Sequence, residues 1–258
     1  MDCKAVAAAI CDWLQRNVKS AKCNGIVFGL SGGLDSAVVA GLGMQALPDG
    51  CLGVIMPCHS DPQDVEDAEA VARSFSLPTI TYDLGPVYDE HLANLRKLLV
   101  PCVSARGAHP VGGTGSKIRM AEANLKPRLR MTALYYYANV LGYLVIGTTN
   151  KSELTVGYFT KYGDGGSDLL PLGELVKTDV RELAEYLGVP RSIIDKPPTA
   201  GLWDGQTDEG EMGISYAELD RYILTGEAPD RVRERVEALN RSAQHKFTRP
   251  PIAPIDAS

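Results

Sequence analysis

No run of apolar residues in this 258-residue chain approaches the ~18 that a membrane-spanning helix needs. A secretory signal is missing too: Asp2 and Lys4 precede a short alanine-rich run, and no apolar core follows. A cytoplasmic location is therefore expected. The six cysteines (Cys3, Cys11, Cys23, Cys51, Cys58, Cys102) include no C-x-x-C pair, which argues against structural zinc or an iron–sulfur cluster. In a reducing compartment they are expected as thiols rather than disulfides. Basic charge is in deficit, with 26 Lys and Arg against 32 Asp and Glu and a net charge of −6, so a nucleic-acid surface is not expected. One stretch departs from this balance: Arg231, Arg233, Arg235, Arg241, Lys246 and Arg249 meet only Glu234 and Glu237. No internal repeat, linker or shift of composition divides the chain, so one domain over residues 1–258 is expected.

What is present reads as alternating strands and helices. Val6, Ile10, Trp13, Leu14 and Val18 recur at helical spacing and open the chain with an amphipathic helix. An apolar run at 25–30 predicts a strand, followed by a glycine turn and a helix over 35–47. Cys51–Pro57 is apolar throughout rather than alternating, as in a strand buried on both faces. Asp61-Pro62 supplies an N-cap and a first-turn proline for a helix to 75. Thr79–Leu84 predicts a third strand and 87–100 a helix. Residues 104–117 (SARGAHPVGGTGSK) have no apolar period, and no strand precedes their glycines, so a loop is expected rather than a dinucleotide fingerprint. A long helical stretch then runs to 141, restarted by Pro127 after Asn124, and Tyr143–Thr149 predicts the fourth strand. Residues 150–168 are rich in glycine and charge. Helices are expected at 177–188 and 190–196, irregular chain over 197–213, and a capping box at Ser215-Tyr-Ala-Glu218. A basic helix over 230–243 and an extended tail close the chain. Strands alternating with helices, without hairpin signals, predict an α/β fold: a doubly wound parallel sheet with helices on both faces. Ligands in such sheets bind beyond the C-terminal strand ends, here GLSGGLDS, MPCHS and GTTNKSE.

The turn in Ile26–Ala40 (IVFGLSGGLDSAVVA) admits three readings. Gly32 and Gly33 allow backbone N–H groups to approach an anion, with the following helix adding its positive N-terminal dipole. Alternatively Gly29-Leu-Ser31-Gly-Gly33 matches the G-x-S-x-G nucleophile elbow, with Ser31 and His245 in a compatible order. A plain βα turn is the third. Against the elbow, only one helix precedes Ser31, whereas that architecture sets several strands upstream. A Walker A loop is excluded because no lysine follows the glycines. Asp35 stands there instead. A carboxylate facing polyphosphate is repelled unless a metal bridges them, which implies Mg²⁺. Glu153, just beyond the fourth strand, is a second candidate ligand; taken alone it reads equally as a solvated helix acid.

The S-G-G-L-D-S stretch after a strand resembles the pyrophosphate loop of the N-type ATP pyrophosphatases, enzymes that adenylate a substrate and release pyrophosphate. Gly147-Thr-Thr-Asn-Lys-Ser-Glu153, Gly157-Tyr-Phe-Thr-Lys-Tyr-Gly-Asp-Gly-Gly166, Lys196-Pro-Pro-Thr-Ala-Gly-Leu-Trp203 and Gly205-Gln-Thr-Asp-Glu209 resemble NAD synthetases in particular. The similarity extends from about residue 5 to 250. It implies a Rossmann-like adenine nucleotide alpha hydrolase fold and a carbon–nitrogen ligase. ATP, nicotinic acid adenine dinucleotide (deamido-NAD) and ammonia would give NAD, AMP and pyrophosphate. The chain has no room for the glutaminase domain of glutamine-using relatives, so the ammonia-dependent branch is implied. Leu34 departs from the glutamine, valine or isoleucine of many relatives, a change of small consequence if the loop works through its backbone.

The resemblance assigns ATP contacts to Gly29, Leu30, Ser31, Gly32, Gly33, Leu34, Asp35, Ser36, Thr148, Lys177 and Thr199, and Mg²⁺ to Asp35 and Glu153. Arg128, Lys161, Asp168, His245 and Lys246 are assigned to deamido-NAD. Asp35, Lys177 and Asp168 are the catalytic candidates, Asp168 because a carboxylate can hold ammonium. Without the resemblance, Lys177, Arg128 and His245-Lys246 read as solvated basic helix surface. A homodimer with the dinucleotide site at its interface is implied; the Tyr135-Tyr-Tyr137 helix would pack there or against its own sheet. Loop 200–213 is expected to be a lid anchored by Trp203. Rival readings are a GMP synthetase-like or tRNA-modifying pyrophosphatase, and a non-catalytic nucleotide sensor. The acidic charge and absent C-x-x-C disfavour the tRNA enzyme, and the C-terminus disfavours the GMP-forming one.

Overall fold

The computed structural model describes residues 1–105, 115–199, 201–203 and 205–255. In chain order the elements are α1 (Cys3–Ser20), β1 (Gly25–Gly29), α2 (Leu34–Ala46), β2 (Cys51–Ile55), α3 (Pro62–Phe75), β3 (Thr79–Thr81), α4 (Gly85–Ala105), α5 (Gly115–Ala123), α6 (Leu125–Leu141), β4 (Tyr143–Val145), α7 (Lys151–Val156), α8 (Lys177–Leu187), α9 (Arg191–Ile194), α10 (Asp208–Met212), α11 (Tyr216–Thr225) and α12 (Asp230–Phe247).

The four strands form one parallel sheet in the order β3-β2-β1-β4. Gly25 to Val27 of β1 lie beside Tyr143 to Val145 of β4, and Ile26 to Gly29 lie beside Cys51 to Val54 of β2. Alternation along β1 divides its side chains between two cores. Ile26, Phe28 and Leu30 pack under α1, α2, α3 and α8, while Val27 joins Val54, Met56 and Val145 under α4 and α6. Helices thus cover both faces, the doubly wound arrangement expected. Phe28 is fully buried at the centre, where truncation to alanine typically costs about 3–5 kcal/mol. A third apolar cluster joins Val156, Met212, Ile214, Leu219, Val232 and Val236, and so ties α7, α10, α11 and α12 together beside the sheet.

Several element boundaries differ from the sequence expectation. The third and fourth strands are three residues each rather than six or seven. Ile146 still donates its N–H to Val27 and bridges to Leu169, after which the chain turns away from the sheet. Two short helices occupy segments expected to be irregular. Asn150 caps α7 in a full capping box with Glu153, and Thr207 caps α10 through the Gly210 N–H. The expected loop 104–117 overlaps the end of α4 and the start of α5; its middle, 106–114, lies outside the described residues. The basic helix α12 continues to Phe247 rather than stopping at 243. The caps at Asp61 and Ser215 form as predicted.

Candidate active site

In the order β3-β2-β1-β4, the chain leaves β1 toward β2 on one side and later places β4 on the other, so the two loops beyond β1 and β4 flank the switch point. A cavity of about 950 Å³ opens there. Its wall includes Gly29, Leu30, Ser31, Gly33, Leu34, Asp35 and Ser36 from the first loop, and Gly147, Thr148, Thr149 and Glu153 from the second.

The first loop is held by its own hydroxyls. The Ser36 hydroxyl donates to the Gly33 carbonyl (2.9 Å) and accepts the Ser31 N–H (3.2 Å), and Ser31 Oγ lies 3.1 Å from it. Ser31 Oγ accepts the Gly33 N–H (3.2 Å). With the Ser36 proton on Gly33, the Ser31 hydroxyl donates to Ser36 rather than to a base, and the nucleophile-elbow reading fails. Gly32 adopts φ +77°, and a Cβ there would press on the Asp64 carbonyl of α3, so this position needs glycine. Gly33 caps α2 without a side chain, leaving the first N–H groups of that helix to the cavity.

Asp35, in the first turn of α2, is the meeting point of the two loops. Its Oδ1 accepts from Asn150 Nδ2 at 2.9 Å, and its Oδ2 pairs with Lys177 from the start of α8. The Lys177 ammonium also lies 3.6 Å from Glu153 and 5.1 Å over the Tyr216 ring. Burial alone would lower the Lys177 pKa, but Asp35 and then Glu153 outweigh it and hold the amine firmly protonated. Burial, reinforced by the Asp35 charge, pushes Glu153 up to about 8 despite the opposing pull of Lys177. The Tyr216 hydroxyl lies 3.3 Å from Glu153 and 3.1 Å from Asp208. Tyr158 bonds Asp208 (3.1 Å) and Glu211 (2.6 Å). Burial first, then the neighbouring carboxylates, keep both phenols protonated.

The remaining sequence candidates are dispersed. Thr199 accepts the Gly201 N–H and donates to the Gln206 carbonyl, which shapes the segment expected to close over the site. Arg128 points both Nε and a terminal nitrogen at the Lys161 carbonyl (3.4 Å each), and Lys161 in turn donates to the His245 carbonyl. The half-buried Lys246 ammonium donates to the carbonyls of Gly157 and Phe159 (2.7 and 2.6 Å), with its pKa lowered by desolvation. All four basic residues line the cavity, but these contacts tie the side chains of Arg128, Lys161 and Lys246 first to the protein's own backbone. Asp168 is not on that wall: its carboxylate accepts the Val145 N–H (2.8 Å) and the Tyr135 hydroxyl (3.1 Å). Gly32 faces α3 rather than the cavity.

Sequence reasoning missed Asn150, Asp208, Tyr158 and Tyr216. The N-x-x-E spacing of Asn150 and Glu153 is a capping-box signal that would have found the first. It also missed Lys196, which bridges Asp64 (2.7 Å) and Asp67 (2.5 Å) of α3 and so moors the segment leading to Thr199 beside the glycine loop.

Comparison with known proteins places this geometry. The chain is 48% identical to an NH(3)-dependent NAD(+) synthetase of Carboxydothermus hydrogenoformans over 91% of each chain. Among solved structures it superposes on an NMN synthetase from Francisella tularensis with a TM-score of 0.87 and 34% identity, covering 99% of this chain and 100% of the other. An NH3-dependent NAD synthetase from Campylobacter jejuni, in complex with a nitrate ion, gives 0.75 and 28% over 98% and 100%. Both loops at the switch point, Asp35, Glu153, Lys177 and the basic wall from Arg128 to Lys246 all lie within residues 6–250, which match the model for NAD synthase, and the chain belongs to that family.

Proposed function

We propose that this protein amidates the nicotinate carboxylate of nicotinic acid adenine dinucleotide with ammonia, at the expense of ATP, giving NAD, AMP and pyrophosphate. The observation that carries this reading is the convergence of Asp35, Glu153 and Lys177 on the uncapped N-terminus of α2. A carboxylate is a poor electrophile. One of its oxygens attacks the α-phosphorus of ATP, the bond to the bridging oxygen breaks, and pyrophosphate leaves. Ammonia then attacks the carboxyl carbon of the adenylate, AMP departs, and the nitrogen gives up a proton. Charge neutralisation and positioning dominate the first step. Within the Gly29–Ser36 loop, the N–H groups at the uncapped start of α2 would take the β- and γ-phosphates, with Thr148, Lys177 and Thr199 completing the ATP site.

Asp35 and Glu153 suit Mg²⁺, since they are hard oxygen donors from opposite loops that already share one cation. Among the described residues no cluster of three ligand-type side chains forms a cage. The site is therefore open, and magnesium is ordinarily held by one or two carboxylates with phosphate completing its shell. Such an ion would neutralise the triphosphate as pyrophosphate departs. Arg128, Lys161, His245 and Lys246 form a basic wall suited to the diphosphate of the second substrate, and Asp168 is assigned to the same substrate or to ammonium. Residues 1–258 would act as one ammonia-using unit in a cytoplasmic homodimer.

AMP formation that requires both deamido-NAD and ammonium tests the proposal. Turnover with glutamine but not ammonium would overturn the ammonia-using reading, and none with purified protein would favour a nucleotide sensor. A second reading is favoured by the TM-score of 0.87 to an NMN synthetase: the same amidation on the mononucleotide. Comparing kcat/KM for nicotinic acid mononucleotide and deamido-NAD in one assay decides between them.

A further inference from the structure

Asp220 of α11 is only 3% exposed, and no ion pair to it occurs among the described residues. Its partners are all neutral donors. Oδ1 accepts the Ser152 hydroxyl at 2.5 Å; Oδ2 accepts the Thr178 N–H at 2.8 Å and the Thr178 hydroxyl at 2.7 Å. Ser152 Oγ in turn accepts the Lys177 N–H at 3.0 Å. Each of these contacts falls beside a residue of the site. Ser152 precedes Glu153 at the start of α7, and Thr178 follows Lys177 at the start of α8. Val176, at the N-cap of α8, has no side-chain oxygen, so the first-turn donors of that helix are satisfied from elsewhere in the chain. Asp220, 42 residues downstream of Thr178, supplies that cap. The carboxylate faces a helix N-terminus and accepts three hydrogen bonds there.

We propose that Asp220 is a positioning residue for the adenylation half-reaction: it fastens the beginnings of α7 and α8 to each other so that Glu153 and Lys177 meet on Asp35. This rests on the function proposed above. Ser152 and Thr178 are its two arms. Through Tyr216, at its opening, α11 reaches Glu153, and one buried carboxylate further along holds the helix to both loops.

The test is the burst of pyrophosphate release by Asp220→Asn with saturating deamido-NAD and ATP and without ammonium, so that each competent site releases one pyrophosphate. Amplitude reports the folded fraction, and the rate constant reports the geometry around the triphosphate. The expected result is unchanged amplitude with a rate constant reduced about 10–100-fold, the range over which residues behind a functional group usually act. An unchanged rate constant, with or without a lower amplitude, means that Asp220 is only structural and overturns the proposal. If Asp220→Asn fails to fold, Ser152→Ala removes one arm and keeps the charge. It should slow the same step severalfold, and no slowing would be equally decisive. A readout independent of turnover separates this claim from the functional reading. Acetylation of Lys177, measured against exposed Lys4 in the same molecule, should rise severalfold in Asp220→Asn. A wild-type protein that releases no pyrophosphate refutes the reaction; unchanged Lys177 labelling refutes the positioning.

Discussion

Lys177 sits almost fully buried between two carboxylates, and its role can be weighed at the level of single charges. Removing the Asp35 charge takes away the nearest partner of the ammonium and leaves Glu153, 3.6 Å away, as the carboxylate still paired with it. Asp35→Asn is expected to lower kcat by about 10²-fold or more, with near-UV circular dichroism unchanged; turnover near the wild-type value would remove Asp35 from the mechanism. Gly32 makes a different kind of demand. Its φ of +77° and its contact with the Asp64 backbone leave no space for a methyl group. Gly32→Ala should therefore cost about 1–3 kcal/mol of stability in urea unfolding, with the loss centred on the junction of the loop and α3. Single residues were legible in proportion to how local their signal is. Asp35 stands next to two glycines after an apolar run, so polyphosphate chemistry could be inferred from neighbours in sequence. Asp208, Tyr158 and Tyr216 come from three separated elements, and nothing in their spacing reports that folding stacks them behind Glu153.

At the scale of elements, helix termini carry much of the site: α2, α7 and α8 all begin at the cavity. α11 begins just behind them, and its capping box offers a pH-dependent test. Hydrogen bonds from the Ser215 N–H and hydroxyl, with Arg231 adding attraction, hold the Glu218 carboxyl below its ordinary value of 4.5. A folded-state pKa below the unfolded one contributes stability above pH 4.5 and loses it as pH falls through the lowered value. Glu218→Gln should thus lower Tm at neutral pH, and the difference from wild type should shrink below about pH 4 in scanning calorimetry. A difference that stays constant with pH would show that the carboxylate charge does not cap this helix. The same elements show what periodicity can and cannot reveal. α1 was found from its apolar stripe, α3 from its Asp61-Pro62 cap and α12 from its run of basic residues. α7 and α10 have six and five residues, less than two turns, so only their caps announce them. β4 ends early because the chain turns away from the sheet after Ile146, which bridges to Leu169, although β1 itself runs on to Gly29.

Across the whole molecule, large apolar side chains stand exposed on α4 and α6. On α6, Tyr135 and Tyr137 turn toward the sheet, while Tyr136 and Val140 are each 66% exposed, and Leu98 on α4 is 70% exposed. The proposed homodimer would cover this face. Light scattering should report twice the chain mass, and Val140→Asp should shift it toward monomer with little change in Tm; a wild-type monomer with full activity would refute a shared site. The architecture as a whole was readable because an uninterrupted alternation of apolar runs and helices permits few arrangements other than a parallel sheet. The closing of residues 196–208 onto α3 was not, since it depends on Lys196 reaching across the chain to Asp64 and Asp67.

The ammonium of Lys177 on Asp35 also bears on how the molecule lives between catalytic cycles. A pocket that gathers acids for a dissociable ion would ordinarily repel itself when that ion is lost. Here a tethered counter-ion, covalently part of a side chain, stands in for it. The empty enzyme should accordingly melt at the same temperature in chelator as in millimolar magnesium, keeping its shape through scarcity and regaining competence as soon as nucleotide and metal return together.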